Sequence, residues 1–272
     1  MNIKATVLSD NIACGELAGE WGLSVYIEYG ERKVLLDAGA SGLFAENAAK
    51  LGLDIAAVEA AALSHAHYDH ADGMLAFFKA NSRAKFYLRG GSACYKKEKG
   101  HRGYKYIGVP RSVMRKYRNR IEFAEGDCEI MAGVTLVPHK TAGLAAVGEK
   151  NKMYVRRGRR YYADDFAHEQ SLVFDTPDGL VVFNSCSHGG ADVVINEIAE
   201  TFPGKKVKAL IGGFHLYDKS EEEVRALAER IKATGIEKVY TGHCTGQKSF
   251  DILRSELGEK AEQLSVGLIM EF

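Results

Sequence analysis

Ser64-His65-Ala66-His67-Tyr68-Asp69-His70, followed at once by Ala71-Asp72-Gly73, places three imidazoles and a carboxylate within six positions. Polar groups this dense are costly to bury without partners, so the stretch reads as a metal site rather than as packing. Histidines at i and i+2 cannot share one face of an α-helix, but both can enter one cavity from an extended segment or loop. That spacing separates the stretch from the HExxH helix of zinc proteases. Residues 58–63 before it form an apolar run of strand length, and Met74, Leu75, Phe77 and Phe78 after it begin a helical pattern. The cluster therefore sits on a strand-to-helix loop, at the edge of an open α/β sheet where ligands gather.

Working outward, residues 23–28 and 33–37 form a hairpin ending in Asp37-Ala38-Gly39. Asp37 is placed either to orient ligand histidines from behind or to cap a loop or helix. A short helix over 44–51 leads into the histidine strand. The second half repeats this order. Residues 171–175 turn through Thr176-Pro177-Asp178-Gly179 into 180–184, then into Ser185-Cys186-Ser187-His188-Gly189-Gly190. A helix over 193–201 and a strand over 207–211 end in Gly212-Gly213-Phe214-His215. A helix over 221–233 and a strand over 238–240 end in Thr241-Gly242-His243-Cys244. Strand-helix units in both halves predict an α/β (α+β) architecture: a four-layer αββα sandwich of two mixed sheets, helices outside, with the metal site at one sheet edge.

Between the halves, residues 95–120 carry ten basic side chains, and 154–162 adds Arg156, Arg157, Arg159 and Arg160 among tyrosines. The chain is read as a single domain, 1–272, with a basic insertion at roughly 95–165. Its arginines are candidates for binding an anionic substrate, because guanidinium forks suit phosphate and carboxylate; a solvated charged face is the alternative. Tyrosines interleaved with cations also suit single-stranded nucleic acid, but a formal net charge of zero disfavours it.

The composition, 46% hydrophobic and 26% charged, is that of a folded globular chain. No apolar run reaches membrane-span length and the first 13 residues lack a signal-peptide core, so no membrane partner is expected. Five cysteines without a CxxC pair do not form a disulfide framework, which favours a cytoplasmic location.

The chain resembles the metallo-β-lactamase-fold superfamily of metal-dependent hydrolases, whose HxHxDH hallmark is matched by His65, His67, Asp69 and His70. It most resembles the dihydropterin synthase-like (methanopterin-type) branch. That likeness rests on Glu20-Trp21-Gly22-Leu23-Ser24, Tyr106-Ile107-Gly108-Val109-Pro110, Asp164-Asp165-Phe166, Glu169-Gln170-Ser171-Leu172, Cys186-Ser187-His188, Gly213-Phe214-His215 and His243-Cys244-Thr245-Gly246. The resemblance implies two adjacent divalent metals, zinc first and iron or manganese next, with no Glu in the motif to suggest a redox di-iron site. His65 and His67 would serve the first metal, and Asp69, His70 and His243 the second.

His188 is taken as the third histidine of the first metal, with His168 the competing choice and His139 and His101 weaker ones. Cys186 stands near the usual place of a bridging aspartate and is a further candidate ligand. The implied chemistry is attack by metal-bound hydroxide on an ester-type bond, phosphoester first, of a small anionic molecule. Asp69 would hold and deprotonate the water, and His215 would donate a hydrogen bond. Two alternatives stay open: a transferase condensing a pterin with a phosphoribosyl-aminobenzene, and a metal-containing nucleic-acid-binding module. No oligomeric state follows from the sequence.

Overall fold

Period-2 alternation decides how the strands are sorted. In Ile3–Ser9, Ser24–Tyr29 and Arg32–Leu36, the side chains of Ile3, Val7, Val25, Ile27, Val34 and Leu36 turn to one buried face, while Leu8, Tyr26 and Leu35 turn to the other. In Gln170–Thr176 and Gly179–Phe183, Leu172, Phe174, Val181 and Phe183 join that first face, and Val173, Leu180 and Val182 point away. Two sheets thus share a central apolar core, and each carries a second core beneath helices. Each buried Val, Leu, Ile or Phe side chain contributes about 1.5–3 kcal/mol.

The computed structural model describes residues 1–91, 93–98, 100 and 103–272. The first sheet runs in the spatial order Ile269–Glu271, Ile3–Ser9, Ser24–Tyr29, Arg32–Leu36, Ala60–Ala62, Lys85–Leu88, Ile121–Phe123. The second runs Ala261–Gln263, Lys238–Thr241, Val207–Gly212, Gly179–Phe183, Gln170–Thr176, Val134–Pro138, Cys128–Met131. Helices Leu43–Lys50 and Met74–Ala80 cover the outer face of the first sheet. Ala191–Thr201, Glu221–Ala233 and Gln247–Leu257 cover that of the second. This is the expected four-layer αββα sandwich. The repeat in the sequence is also a repeat of pairing: in each half an antiparallel hairpin is followed by two parallel strands.

The basic segment divides differently from the single insertion expected over 95–165. Ile121–Phe123 pairs into the first sheet, and Cys128–Met131 and Val134–Pro138 into the second, because Ile121, Val134 and Leu136 supply core side chains. The remaining strands, Arg160–Ala163, Met153–Arg157, Cys94–Lys96 and Lys105–Tyr106, form a separate four-stranded sheet. Tyrosines bind it together. The Tyr104 and Tyr161 rings stack at 3.9 Å, and Tyr95 meets Tyr106 and Tyr161 edge-on.

The histidine strand is shorter than its apolar run suggests, Ala60–Ala62, because Ile55–Ala57 forms a turn of 3₁₀ helix before it. After the strand, Tyr68–Ala71 makes one helical turn and Met74–Ala80 follows. Gly73 lies where the two meet. A Cβ there would stand 1.8 Å from the Ala38 carbonyl oxygen and 2.3 Å from that of Ser41. Both are backbone atoms of the loop following the first hairpin, so neither can swing aside. Gly73→Ala is expected to destabilise the fold by about 3 kcal/mol in denaturant titration, the upper range for overpacking.

Candidate metal centre

The loops beyond both sets of strands meet at one sheet edge, and Asp37 stands at the junction. Its fully buried carboxylate accepts the Ser64 amide on Oδ1 (2.7 Å), and on Oδ2 the Ser64 hydroxyl (2.7 Å) and His70 Nδ1–H (2.9 Å). The Ser185 hydroxyl, from the second half, donates to the same Oδ2. Since the Ser64 proton goes to Asp37, its oxygen accepts from His65 Nδ1–H at 3.0 Å. One carboxylate thereby sets the tautomer of two histidines.

The same arrangement recurs around the site. His188 Nδ1–H donates to Glu169 Oε1 (3.0 Å), and His243 Nδ1–H to Asn11 Oδ1 (3.1 Å). In His65 and His188 the proton on Nδ1 leaves Nε2 a bare lone pair. The Nε2 atoms of His65, His67, His188 and His243 are buried and without a hydrogen-bond partner. Orphaned buried acceptors are rare and costly, and a cation would satisfy them.

His65, His67 and His188 lie close enough for their ring nitrogens to share one ion, all within 4.8 Å of one another. Burial, with neighbouring imidazoles, pushes His65 well below the usual histidine range and His188 down to about 4 against the opposing pull of Glu169. Both rings are neutral, as metal ligands must be. Asp69 Oδ2 sits 3.4 Å from His243 Nε2 and 3.8 Å from His70 Nε2, and it accepts the Trp21 indole N–H at 3.0 Å. Burial raises the Asp69 carboxyl, but His70, His243 and His67 outweigh it and hold it below the usual carboxylate range. His243 is opposed by burial yet drawn up to about 9, chiefly by Asp69. Cys186 Sγ lies 3.4 Å from His70 Nε2 and 3.5 Å from Cys244 Sγ, within reach of the second group. The donor set of imidazoles, a carboxylate and a thiol fits divalent zinc-like ions.

His168 differs from the other candidates. Its Nδ1 accepts the Ala66 amide (3.1 Å) and its Nε2–H meets Asp164 Oδ2 (3.2 Å), so both nitrogens are used. It braces the backbone between His65 and His67. His139 is turned away from this group, with Nε2 bonded to the Ser171 hydroxyl at 2.9 Å and Nδ1 3.0 Å from Glu169 Oε2. His101 lies outside the described residues. His215 stands beside His188 with ring centroids 4.6 Å apart, both nitrogens buried and unpartnered. Asp37, Ser187, His215 and His243 all have φ between 47° and 56°, backbone strain that collects at functional sites.

Arg156 and Arg157 border a cavity of about 460 Å³ that also reaches His168, whereas Arg159 and Arg160 are exposed at the hairpin's end. Arg157 pairs with Asp165 at 2.7 Å. Several site residues were not singled out individually in the sequence: Trp21, Asp164, Glu169, Cys244 and Asn11. The available signal was proximity, since Glu169 follows His168 and Cys244 follows His243.

A sequence model of the metallo-beta-lactamase superfamily matches residues 22–148. The solved structure of Tm1679, described as a metal-dependent hydrolase of the beta-lactamase superfamily, is 33% identical, with a TM-score of 0.85 over 99% of each chain. The chain belongs to the metallo-β-lactamase superfamily. A curated relative from Methanocaldococcus jannaschii is 26% identical over 301 aligned residues, covering 100% of this chain and 97% of the relative. It is named 7,8-dihydropterin-6-methyl-4-(beta-D-ribofuranosyl)-aminobenzene-5'-phosphate synthase. Zinc-bound PqqB from Methylobacterium extorquens shares the fold, at 12% identity and a TM-score of 0.56 over 98% of this chain and 99% of that chain. Members of the superfamily bind divalent metals, and the clustered histidines and Asp69 are this chain's candidates. Among the described residues no helix is long and apolar enough to cross a membrane.

Proposed function

We propose that the protein is a metal-dependent hydrolase acting at a pair of divalent ions, zinc first, on an ester-type bond, phosphoester first, of a small anionic molecule. The observation that carries this reading is the set of Nδ1-anchored imidazoles, His65, His70, His188 and His243: the Nε2 atoms of His70 and His243 stand beside Asp69, and those of His65 and His188 are buried without a hydrogen-bond partner. His65, His67 and His188 would hold one ion; Asp69, His70 and His243 the other, with Cys186 beside them. When bound, the ions supply a water that ionises near neutral pH and positive charge for the attacked oxygen.

The chain's own residues do the rest. Asp69, fixed by the Trp21 indole, positions the attacking water and takes up its proton. His215, free at both nitrogens beside His188, hydrogen-bonds the oxygen that gains charge or the leaving group.

Protein reconstituted with zinc or manganese is expected to hydrolyse at least one phosphodiester, phosphomonoester, thioester or lactone in a broad screen, and to stop when a chelator is added. His215→Ala should lower kcat by about 10²–10⁴ at unchanged metal content. Stoichiometric metal without hydrolysis of any of these would sink the reading. The full-length match to the M. jannaschii synthase favours a second reading, a transferase joining a pterin to a phosphoribosylated aminobenzene. Condensed product from those two substrates, seen by mass spectrometry, would select it; hydrolysis products alone would count against it.

A further inference from the structure

Three large aromatic side chains stand exposed around the metal centre: Trp21 (44%), Tyr68 (41%) and Tyr217 (48%). Each is tied to the site. Trp21 donates to Asp69, its ring lies 5.1 Å from that of His243 and it meets Tyr217 edge-on at 5.9 Å; Tyr217 packs on His215 at 5.3 Å. Tyr68 lies within the histidine motif, between His67 and Asp69. Exposed aromatics are ordinary singly, but three at the mouth of a polar site, two of them in ring contact, form a surface for a flat ligand.

Tyr68 also borders an open cavity of about 570 Å³ between the motif and the small sheet. Lys96, Lys105 and Arg111 line it with Asp72 and Glu98. Lys105 is matched by Glu98 at 3.1 Å. Arg111 is held rigidly, its guanidinium 4.4 Å above the Tyr106 ring and bonded to the Tyr95 hydroxyl at 2.7 Å, with no carboxylate partner among the described residues. Lys96 has none either among the described residues. Two cations without an ion-pair partner among the described residues thus share a cavity with a tyrosine of the aromatic mouth.

We infer that these features form one binding track, resting on the metal-hydrolase reading: a planar ring lies against Trp21, Tyr68 and Tyr217, and a phosphate joined to that ring sits between Lys96 and Arg111. The phosphate is then a recognition handle, and the scissile bond is a different one. The substrate class is a phosphorylated aromatic or heteroaromatic compound. Arg111 suits phosphate because its fork is already oriented, and Lys96 adds a mobile point charge.

The test is titration of metal-loaded protein with phenylphosphonate, methylphosphonate and phenol, read by calorimetry and by the fluorescence of Trp21, the chain's single tryptophan. Phenylphosphonate should bind and change the fluorescence. The double variant Lys96→Gln, Arg111→Gln should bind it at least about 10-fold more weakly, the loss of one or two charge-assisted hydrogen bonds. Phenol should perturb Trp21 equally in both proteins, and methylphosphonate should lose affinity in the variant with little effect on Trp21. Metal content and melting temperature are checked alongside; if the double variant is unstable, Lys96→Gln alone should still weaken binding about 3-fold. Wild-type affinity for phenylphosphonate in the variants would overturn the track, the anion then sitting on the metals alone. Benzoate binding as tightly as phenylphosphonate would overturn the phosphate assignment. A hydrolase screen without turnover would remove the activity reading, while this titration would still decide the track.

Discussion

Asp37→Ala is expected to cost about 3–5 kcal/mol of stability in urea unfolding and to strip metal from the protein. The carboxylate is fully buried and takes hydrogen bonds from the Ser64 amide, the Ser64 hydroxyl, His70 Nδ1 and the Ser185 hydroxyl. Truncation leaves all four donors without an acceptor in a dry interior, each costing about 1–3 kcal/mol before relaxation. It also frees His65 and His70 to adopt the other tautomer, since Ser64 no longer has a fixed acceptor for its proton. Asp37→Asn separates the two effects. Its amide oxygen can still accept, but its NH₂ group faces donors, and an N–H aimed at His70 Nδ1 would shift that ring's proton to Nε2, toward the site. Stability should then fall less than in the alanine variant, while metal affinity falls by about 10–100-fold, measured by competition with a chromophoric chelator. An asparagine variant with wild-type metal affinity would mean that Asp37 supports the fold without setting the histidine tautomers.

Asp37 also marks how far the sequence could be read. It ends an apolar strand in a hairpin, which made it a candidate for orienting the ligands; its link to Ser185, 148 residues away, is invisible to any local pattern. The sandwich was legible because alternation along strands such as Arg32–Leu36 and Gly179–Phe183 repeats with helices between them. The small sheet was not, because Cys94–Lys96 pairs with Met153–Arg157 across some sixty positions in segments dominated by charge, where no apolar period exists. Trp21 and Asp69 illustrate the same limit in the site: an indole N–H reaching a carboxylate 48 positions away leaves no trace in spacing. Residue type and strand-end position gathered the histidines. They put His188 ahead of His168 only by its place just past a strand; both flank strands of the same hairpin, and the partner of each Nδ1 is what separates them.

That ranking gives the second large effect. His188→Ala should remove about one ion per chain by elemental analysis and lower kcat/KM by more than the roughly 10–100-fold that loss of an orienting partner costs. His188 offers a bare Nε2 beside those of His65 and His67, and Glu169 fixes the ring from behind. Taking it away leaves two imidazoles where a tetrahedral site needs three protein ligands and an open position. His168→Ala should behave differently. Its nitrogens serve the Ala66 amide and Asp164, so the variant loses about 2–4 kcal/mol through an unpaired buried N–H and a buried carboxylate with one donor fewer. Metal stoichiometry should survive at low temperature, with affinity reduced through slack in the peptide joining His65 to His67. The reverse pattern, metal lost from His168→Ala and kept by His188→Ala, would move the first ion toward the neighbouring group of His67, Cys94, Asp164 and His168, whose ligand atoms also lie within 4.8 Å of one another. That group is disfavoured on charge and tautomer together. Asp164 is burial-raised but pulled below the usual carboxylate range by His168 and His67, so it already has its cationic or donor partners, whereas the Nε2 atoms of His65 and His188 have none.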